Sequence, residues 1–434
     1  MMEETRLITE VTEKLQNMAD ASLQNVIWNK RSIYKIPPSV RALKTIAYRP
    51  QVVSFGPYYH NEDHLKPMEE HKQRALRYFL KRANKPIELL VQSLGEVAQD
   101  LKDCYSTLDQ SWQDDTSRFL QLMVLDGCFL LEILQVAANK FDGYAADDPV
   151  FSRHGDLYIV PFIRRDVLML ENQLPMLVLH KLVAVASFGA KDEESINKLI
   201  LNFCSPNVSV SNLGKCLHVL DLYRKSLLQE EPSKIKHHHH YVIHRGHHKD
   251  SNDIIRSATE LNEAGIWFKK SKTKSLKGIS FHRGVLKLPV VIVDDATEVI
   301  LLNLMAFERL HAGTGNDITS FVFFMDNIID DAMDVAFLEA RGIIQNALGS
   351  DKAVAKLFNS LSKDIPLDPD NRLDLVYKQV NAYSRKRWNA WRANLIQTYF
   401  RNPWAVLSLI AAIILFALTI AQTLYSILQY HFPR

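Results

Sequence analysis

Asp330-Asp331-Ala332-Met333-Asp334 is the stretch of this 434-residue chain whose spacing comes nearest to a reaction motif. DDxxD is the aspartate arrangement that chelates magnesium diphosphate in terpene synthases. On one continuous helix Asp326, Asp330 and Asp334 would share a face at four-residue steps, offering oxygen ligands to a hard cation. Such chemistry needs a second metal motif. The nearest, Asn252-Asp253-Ile254-Ile255-Arg256-Ser257, places its serine one residue too far along and precedes the aspartates. A solvated acidic helix face is therefore the favoured expectation, and a magnesium-dependent enzyme using Asp330, Asp331 and Asp334 is the alternative.

Seven histidines lie between His237 and His248. Imidazole suits zinc, copper or nickel, but a structural site wants defined spacing and Cys or acidic partners, so a surface loop is expected. Lys269, Lys270, Lys272, Lys274 and Lys277 form a basic cluster that would suit either anionic lipid or solvent. The chain contains no P-loop, GxGxxG, HExxH, GxSxG or CxxC, and no cofactor is expected. Its four cysteines are scattered, as in a reducing compartment. Asp126, Glu132, Arg164, Arg165, Asp166 and Glu171 are charges set in apolar segments, and buried charges must be paired. Arg165 bridging Asp126 or Glu171 is the economical arrangement, a structural ion pair rather than a catalytic one.

The elements that must position these residues are mostly helical. Apolar spacing predicts helices over 3–28, 68–85, 87–104, 119–134, 191–204, 211–228, 257–264, 298–310, 320–346, 352–359 and 372–400. In the second of these Ala75, Leu76, Phe79 and Leu80 face inward, with Lys72, Arg77, Lys81 and Arg82 largely outward. Residues 119–134 are apolar nearly all round yet contain Asp126 and Glu132, which marks a core helix. A second helical segment follows a break near Glu171–Leu174, with Pro175 in its first turn. Residues 33–67 hold five prolines and should be irregular, and 280–294 should form two short strands.

From Asn402 to Tyr430 no side chain is charged. Twenty helical residues span about 30 Å, the thickness of a bilayer's hydrocarbon core. Trp404 stands at one rim, with Arg385, Lys386, Arg387 and Arg401 before it, and the positive-inside rule puts the large N-terminal part in the cytosol. The long uncharged stretch favours the plasma membrane over the endoplasmic reticulum. The fold class is thus mainly α: a large multi-helix globular body with a small β element near 280–294, followed by one C-terminal transmembrane helix. An amphipathic helix over 1–29, a helical domain over 30–400 with a His-rich insertion at about 229–253, a span at 404–428 and a tail at 429–434 make up the chain. Partners are the bilayer, through 404–428, and a protein of unknown identity. A net charge of +3 argues for no nucleic acid, and nothing points to a small-molecule substrate.

Several segments together carry a resemblance. IYKIPPSVR (33–41), YRPQVVSFGPYYH (48–60), MEEHKQRAL (68–76), FLQLMVLDGCFLLEIL (119–134), RRDVLMLENQLPMLVL (164–179) and GVLKLPVVIVDDATEVILLNLMAFE (284–308) run in the order seen in plant DUF247 proteins, also called UPF0481. The chain resembles that family from about residue 33 to its C-terminal hydrophobic segment. The resemblance implies a mostly helical, membrane-associated plant protein with no established catalytic activity. Some grass members are implicated in pollen-side self-incompatibility, a recognition role. The family offers no agreed active site to carry over. In GPYYH, Gly56 and Pro57 shape a turn, and a structural corner is favoured over a ligand pocket.

Overall fold

The computed structural model describes residues 30–138, 143–186, 193–205, 212–229, 255–362, 372–386 and 403–431. The expected 1–29 helix, the seven histidines, Asn252, Asp253 and Ile254 of the second metal motif, Arg387 and Arg401 lie outside them. The fold is mainly helical with a small amount of sheet. Two compact units divide the chain: Met1–Glu231 with Asp295–Thr319, and Pro232–Asp294 with Ser320–Arg434.

The first unit is built around the helix Thr116–Ala137. Asp115 starts it by accepting the Arg118 amide at 2.9 Å. From Phe119 to Gln135 nearly every side chain is buried, against the helices Lys66–Ala83, Ile87–Gly95 and Met176–Ala186. Close approach to the last of these depends on Gly127, where a Cβ would stand 2.5 Å from Leu182 Cδ1 and 2.9 Å from Val178 Cγ1. Lys66–Ala83 carries Pro67 in its first turn and ends at Asn84, which takes the left-handed conformation that halts a helix (φ 49°). Its buried stripe is Met68, Lys72, Ala75, Phe79 and Ala83, so Lys72 faces the core and not solvent as its charge suggests. Pro175 stands one residue ahead of Met176–Ala186. Within the proline-rich 33–67 segment only a short helix, Pro38–Leu43, and a 3-10 turn, Thr45–Tyr48, form before the Lys66–Ala83 helix begins.

In the second unit the strands β1 (Trp267–Lys270), β2 (Ser280–His282) and β3 (Val285–Leu288) form a sheet in the order β1-β3-β2. β3 runs parallel to β1 and antiparallel to β2. Arg283 and Gly284 join β2 to β3 with φ of 49° and 81°, the doubly positive pair of a tight hairpin. β4 (Val291–Val293) pairs in parallel with β5 (Ile344–Asn346). The 280–294 segment thus yields three strands where the residue pattern suggests two. The expected 320–346 helix is likewise broken: one helix ends at Ile328, a second spans Ala332–Ala340, and β5 follows. Asp331 causes the break, because its carboxylate accepts the Met333 and Asp334 amides and so starts a new helix. The helix expected over 211–228 begins only at Val219.

The final helix runs Pro403–His431, 29 residues, and its described side chains are exposed. It and Thr116–Ala137 are both long and apolar enough to cross a membrane.

Candidate functional site

The amides of residues 51–56 have no strand to pair with, and buried amides must find acceptors somewhere. Three side chains of the first unit, Asp166, Asn172 and Asp126, provide most of them. Asp166, at the end of the helix Val160–Asp166, accepts from Gln51 N at 3.0 Å, Val52 N at 2.7 Å and Val53 N at 3.1 Å. Asn172 accepts from Phe55 N at 2.7 Å and donates through Nδ2 to the carbonyls of Val53 and Asp166, each at 3.0 Å. Asp126 accepts from Gly56 N at 2.8 Å. Lys72 completes the set: its Nζ donates to Asp126 at 2.7 Å and to the Ser54 carbonyl at 2.6 Å. Lys72, Asp126, Asp166 and Asn172 are fully buried. The side chains therefore do for this irregular segment what a neighbouring strand does in a sheet.

A second cluster holds the far end of the same segment. Glu171 accepts from the Ile36 amide, the Arg41 guanidinium and the Tyr59 hydroxyl. Gln173 donates to the carbonyls of Val167 at 2.6 Å and Met169 at 2.8 Å, while its Oε1 accepts from Leu220 N at 3.1 Å. Gly56 adopts φ 74°, and a Cβ there would lie 2.8 Å from the Tyr105 hydroxyl and 2.9 Å from the Gln173 carbonyl. GPYYH is thus a buried corner in which Tyr59 spends its hydroxyl on Glu171 and on the Tyr48 carbonyl.

The expected pairing of Arg165 with Asp126 or Glu171 is corrected. Asp126 is met by Lys72 and Glu171 by Arg41, while Arg165 lies over the Phe162 ring at 5.6 Å and 3.8 Å from its own neighbour Asp166. Lys72 reaches Asp126 because their two helices pack side by side, a fact of tertiary structure. A sequence signal for it existed: Lys72 sits on the stripe of Met68, Ala75 and Phe79. Glu132 pairs with Arg82 and accepts the Tyr144 hydroxyl at 2.7 Å. Arg224 and Glu308 form a further buried pair at 2.7 Å that sequence reasoning did not single out.

Electrostatics follow burial. Desolvation pushes Asp126 up to about 6, against the pull of the Lys72 ammonium and the Gly56 amide. Burial likewise raises Asp166, opposed by its three backbone amides. His218 is fully buried, accepts the Asp221 amide on Nδ1 at 3.2 Å and donates from Nε2 to the Ser32 carbonyl at 3.0 Å. Burial lowers it to about 4, so it is neutral at pH 7. All four cysteines are free, and burial raises each thiol, to about 11 for Cys104 and Cys216 and about 12 for Cys204. None is activated as a thiolate nucleophile.

The aspartate motif does not present one helical face, since Asp326 lies on the helix ending at Ile328, Asp330 in the break and Asp334 on the following helix. Asp334 is buried and accepts from Thr259 N and Oγ1, each at 2.8 Å, and from Asp330 N at 3.1 Å. Asp331 is the helix cap. Among the described residues no group of three or more His, Cys, Asp or Glu converges on a common point. Arg385 and Lys386 are exposed just beyond the helix Asp374–Ser384, and Trp404 falls within the terminal helix.

Residues 33–418 match the family described as "Plant protein of unknown function", DUF247. The chain is 31% identical to UPF0481 protein At3g47200 of Arabidopsis thaliana, over 92% of this chain and 86% of that one. It is 24% identical to Putative UPF0481 protein At3g02645 of the same plant, over 100% and 96%. No solved structure matches. The motif residues that form the buried lattice, from Ile36 to Glu308, lie inside the matched region, and the chain belongs to the DUF247 family.

Proposed function

We propose that this protein is a single-pass membrane protein whose folded body acts in protein recognition or signalling. The observation that carries this reading is the helix Pro403–His431: 29 residues, no charge before His431, and exposed along its described length. A helix of this length exceeds the roughly 20 residues needed to cross a bilayer. Two of its polar side chains are satisfied within the helix, the Thr419 and Thr423 hydroxyls donating to the carbonyls of Leu415 and Thr419, each at 2.8 Å. Basic Arg385 and Lys386 precede it, which favours a cytosolic body.

Recognition is supported by the use to which the motif residues are put. Asp126, Asp166, Asn172 and Glu171 hold backbone in the interior, while Leu157, Tyr158 and Phe162 of the first unit stand exposed on two neighbouring helices. Contiguous apolar exposure of this kind marks contact surfaces.

Truncation after Arg401 tests the anchor. The shortened chain should appear in the soluble fraction while the full chain stays with carbonate-washed membranes; a full chain released by carbonate would end this reading. Proximity labelling from the full chain in plant tissue should recover recurrent protein neighbours. For the enzymatic alternative, magnesium should leave the melting temperature unchanged in the native chain and in a variant with Asp330, Asp331 and Asp334 all changed to Asn.

A further inference from the structure

The sheet formed by β1, β2 and β3 has a face with charge of one sign. From Ala264 to Val293 the chain contains six lysines and one arginine and not one Asp or Glu. Strand alternation separates the two faces. Phe268, Leu286 and Leu288 are buried on one. On the other, Trp267, Lys269 and Lys287 are exposed, joined by His282, with Arg283 at the hairpin tip. The register sets Lys269 directly beside Lys287, and His282 opposite Val285. Like charges side by side on a sheet are destabilising. Among the described residues Lys269, Lys272, Arg283 and Lys287 form no ion pair that would relieve it. An exposed Trp at the margin of such a face supplies an amphipathic ring of the kind that settles at headgroup level.

A second observation bears on where this face operates. The helix Asp374–Ser384 packs on the hairpin: Tyr383 stacks edge-on against Phe281 at 5.6 Å and occupies the space beside Gly284, where a Cβ would lie 2.5 Å from its hydroxyl. From Ser384 the chain reaches the terminal helix at Pro403. Nineteen residue steps allow a tether of at most about 65 Å. The basic sheet is therefore carried by the element from which the chain leaves for the apolar helix.

We propose that this sheet face, through Lys269, Lys287 and Trp267 with Lys272 and Arg283 beside them, binds the anionic phospholipid headgroups of the leaflet that the terminal helix enters. The assignment rests on the membrane reading above and extends it: the body lies against the bilayer surface through one chosen face. Lipid is preferred to nucleic acid because the patch is small, flanked by an interfacial tryptophan, and tethered to an apolar helix.

The test uses the full-length chain reconstituted in vesicles of phosphatidylcholine alone or with about one third phosphatidylserine, a composition that sets the surface charge. Amine-reactive labelling read by mass spectrometry should fall at Lys269, Lys272 and Lys287 in the anionic vesicles, by about fivefold per lysine engaged. High salt should restore it. Labelling at exposed Lys198 and Lys352 should not change. Equal labelling of the three lysines in both vesicle types would overturn the proposal. So would protection by a short polynucleotide or an acidic peptide without protection by lipid. The double variant Lys269→Glu with Lys287→Glu separates the two readings: it should keep carbonate resistance and lose lipid protection. Release of the native chain by carbonate sinks the anchor instead, and the same anionic vesicles added from outside then decide the sheet.

Discussion

Two helices of this protein are apolar enough to cross a bilayer, and they behave oppositely. In Thr116–Ala137, 83% of the most apolar stretch is buried by protein, whereas in Ile410–Ile427 none is. The first carries two carboxylates, each met by a cation from the helix Lys66–Ala83: Asp126 by Lys72 and Glu132 by Arg82. The second carries no ionisable group at all until its last residues. A helix packed in protein can accept charge because its neighbours supply fixed partners, and those partners then set which helices meet and in what register. A helix surrounded by hydrocarbon has no such partners, so its only satisfied polar groups are those bonded within itself. Apolar composition alone does not separate the two helices; burial and paired charge do.

The largest effect that would break this comparison is at the core pair. Lys72→Met strands Asp126 in the interior and should cost about 3–5 kcal/mol of body stability, read by denaturant melting of the full chain in detergent. A polar change at Thr419 should leave that melt unmoved. In the terminal helix the sensitive readout is membrane insertion: on the proposed reading Ile414→Arg should lower insertion by about 2.5–3.5 kcal/mol, measured as the inserted fraction in microsomes, with the body still folded. An unchanged inserted fraction would contradict it.

Acid sharpens the contrast. His218 titrates at about 4 in the folded body, below its ordinary value of 6.5. Between those values the His218 site binds more protons in the unfolded chain than in the folded one. Its contribution to stability is therefore complete above pH 6.5 and is lost as pH drops toward 4, whereas Asp126, raised to about 6, works in the opposite sense over the same fall. The His218 loss is about 3 kcal/mol, and His218→Gln should flatten that limb of the stability profile. No residue from 402 to 430 titrates in this range, so the helicity of the terminal helix should not change across it. The smallest effect concerns close packing. Gly127→Ala forces Val178 and Leu182 aside and should cost about 1–3 kcal/mol, whereas Ala417→Leu on the exposed terminal helix should change body stability by nothing measurable.

Several parts of the architecture were legible from residue pattern. The core character of 119–134 follows from an apolar surface on all sides with only two charges, and the terminal helix from its length without any. The Lys66–Ala83 helix was legible as a helix with Ala75 and Phe79 inward, but not in the burial of Lys72, because a lysine reads as solvent-facing until a buried carboxylate is known to await it. The break at Asp331 was hidden by favourable helical spacing on both sides; only the capping contacts show that this aspartate begins a helix instead of continuing one. The lattice around residues 51–56 lay beyond reach because its partners, at 126, 166 and 172, are about 70 to 117 residues away in sequence.

Local chemistry, which acts over one or two turns of chain, is written in the sequence: where helices can run, which stretch can face hydrocarbon, and which charges will need partners. Contact between distant segments is not. The choice of Lys72 for Asp126 and Arg41 for Glu171, the folding of GPYYH into a corner, and the setting of Lys287 beside Lys269 on one face of a sheet were decided by packing, since a long-range pair exists only once the elements bearing it have been brought together.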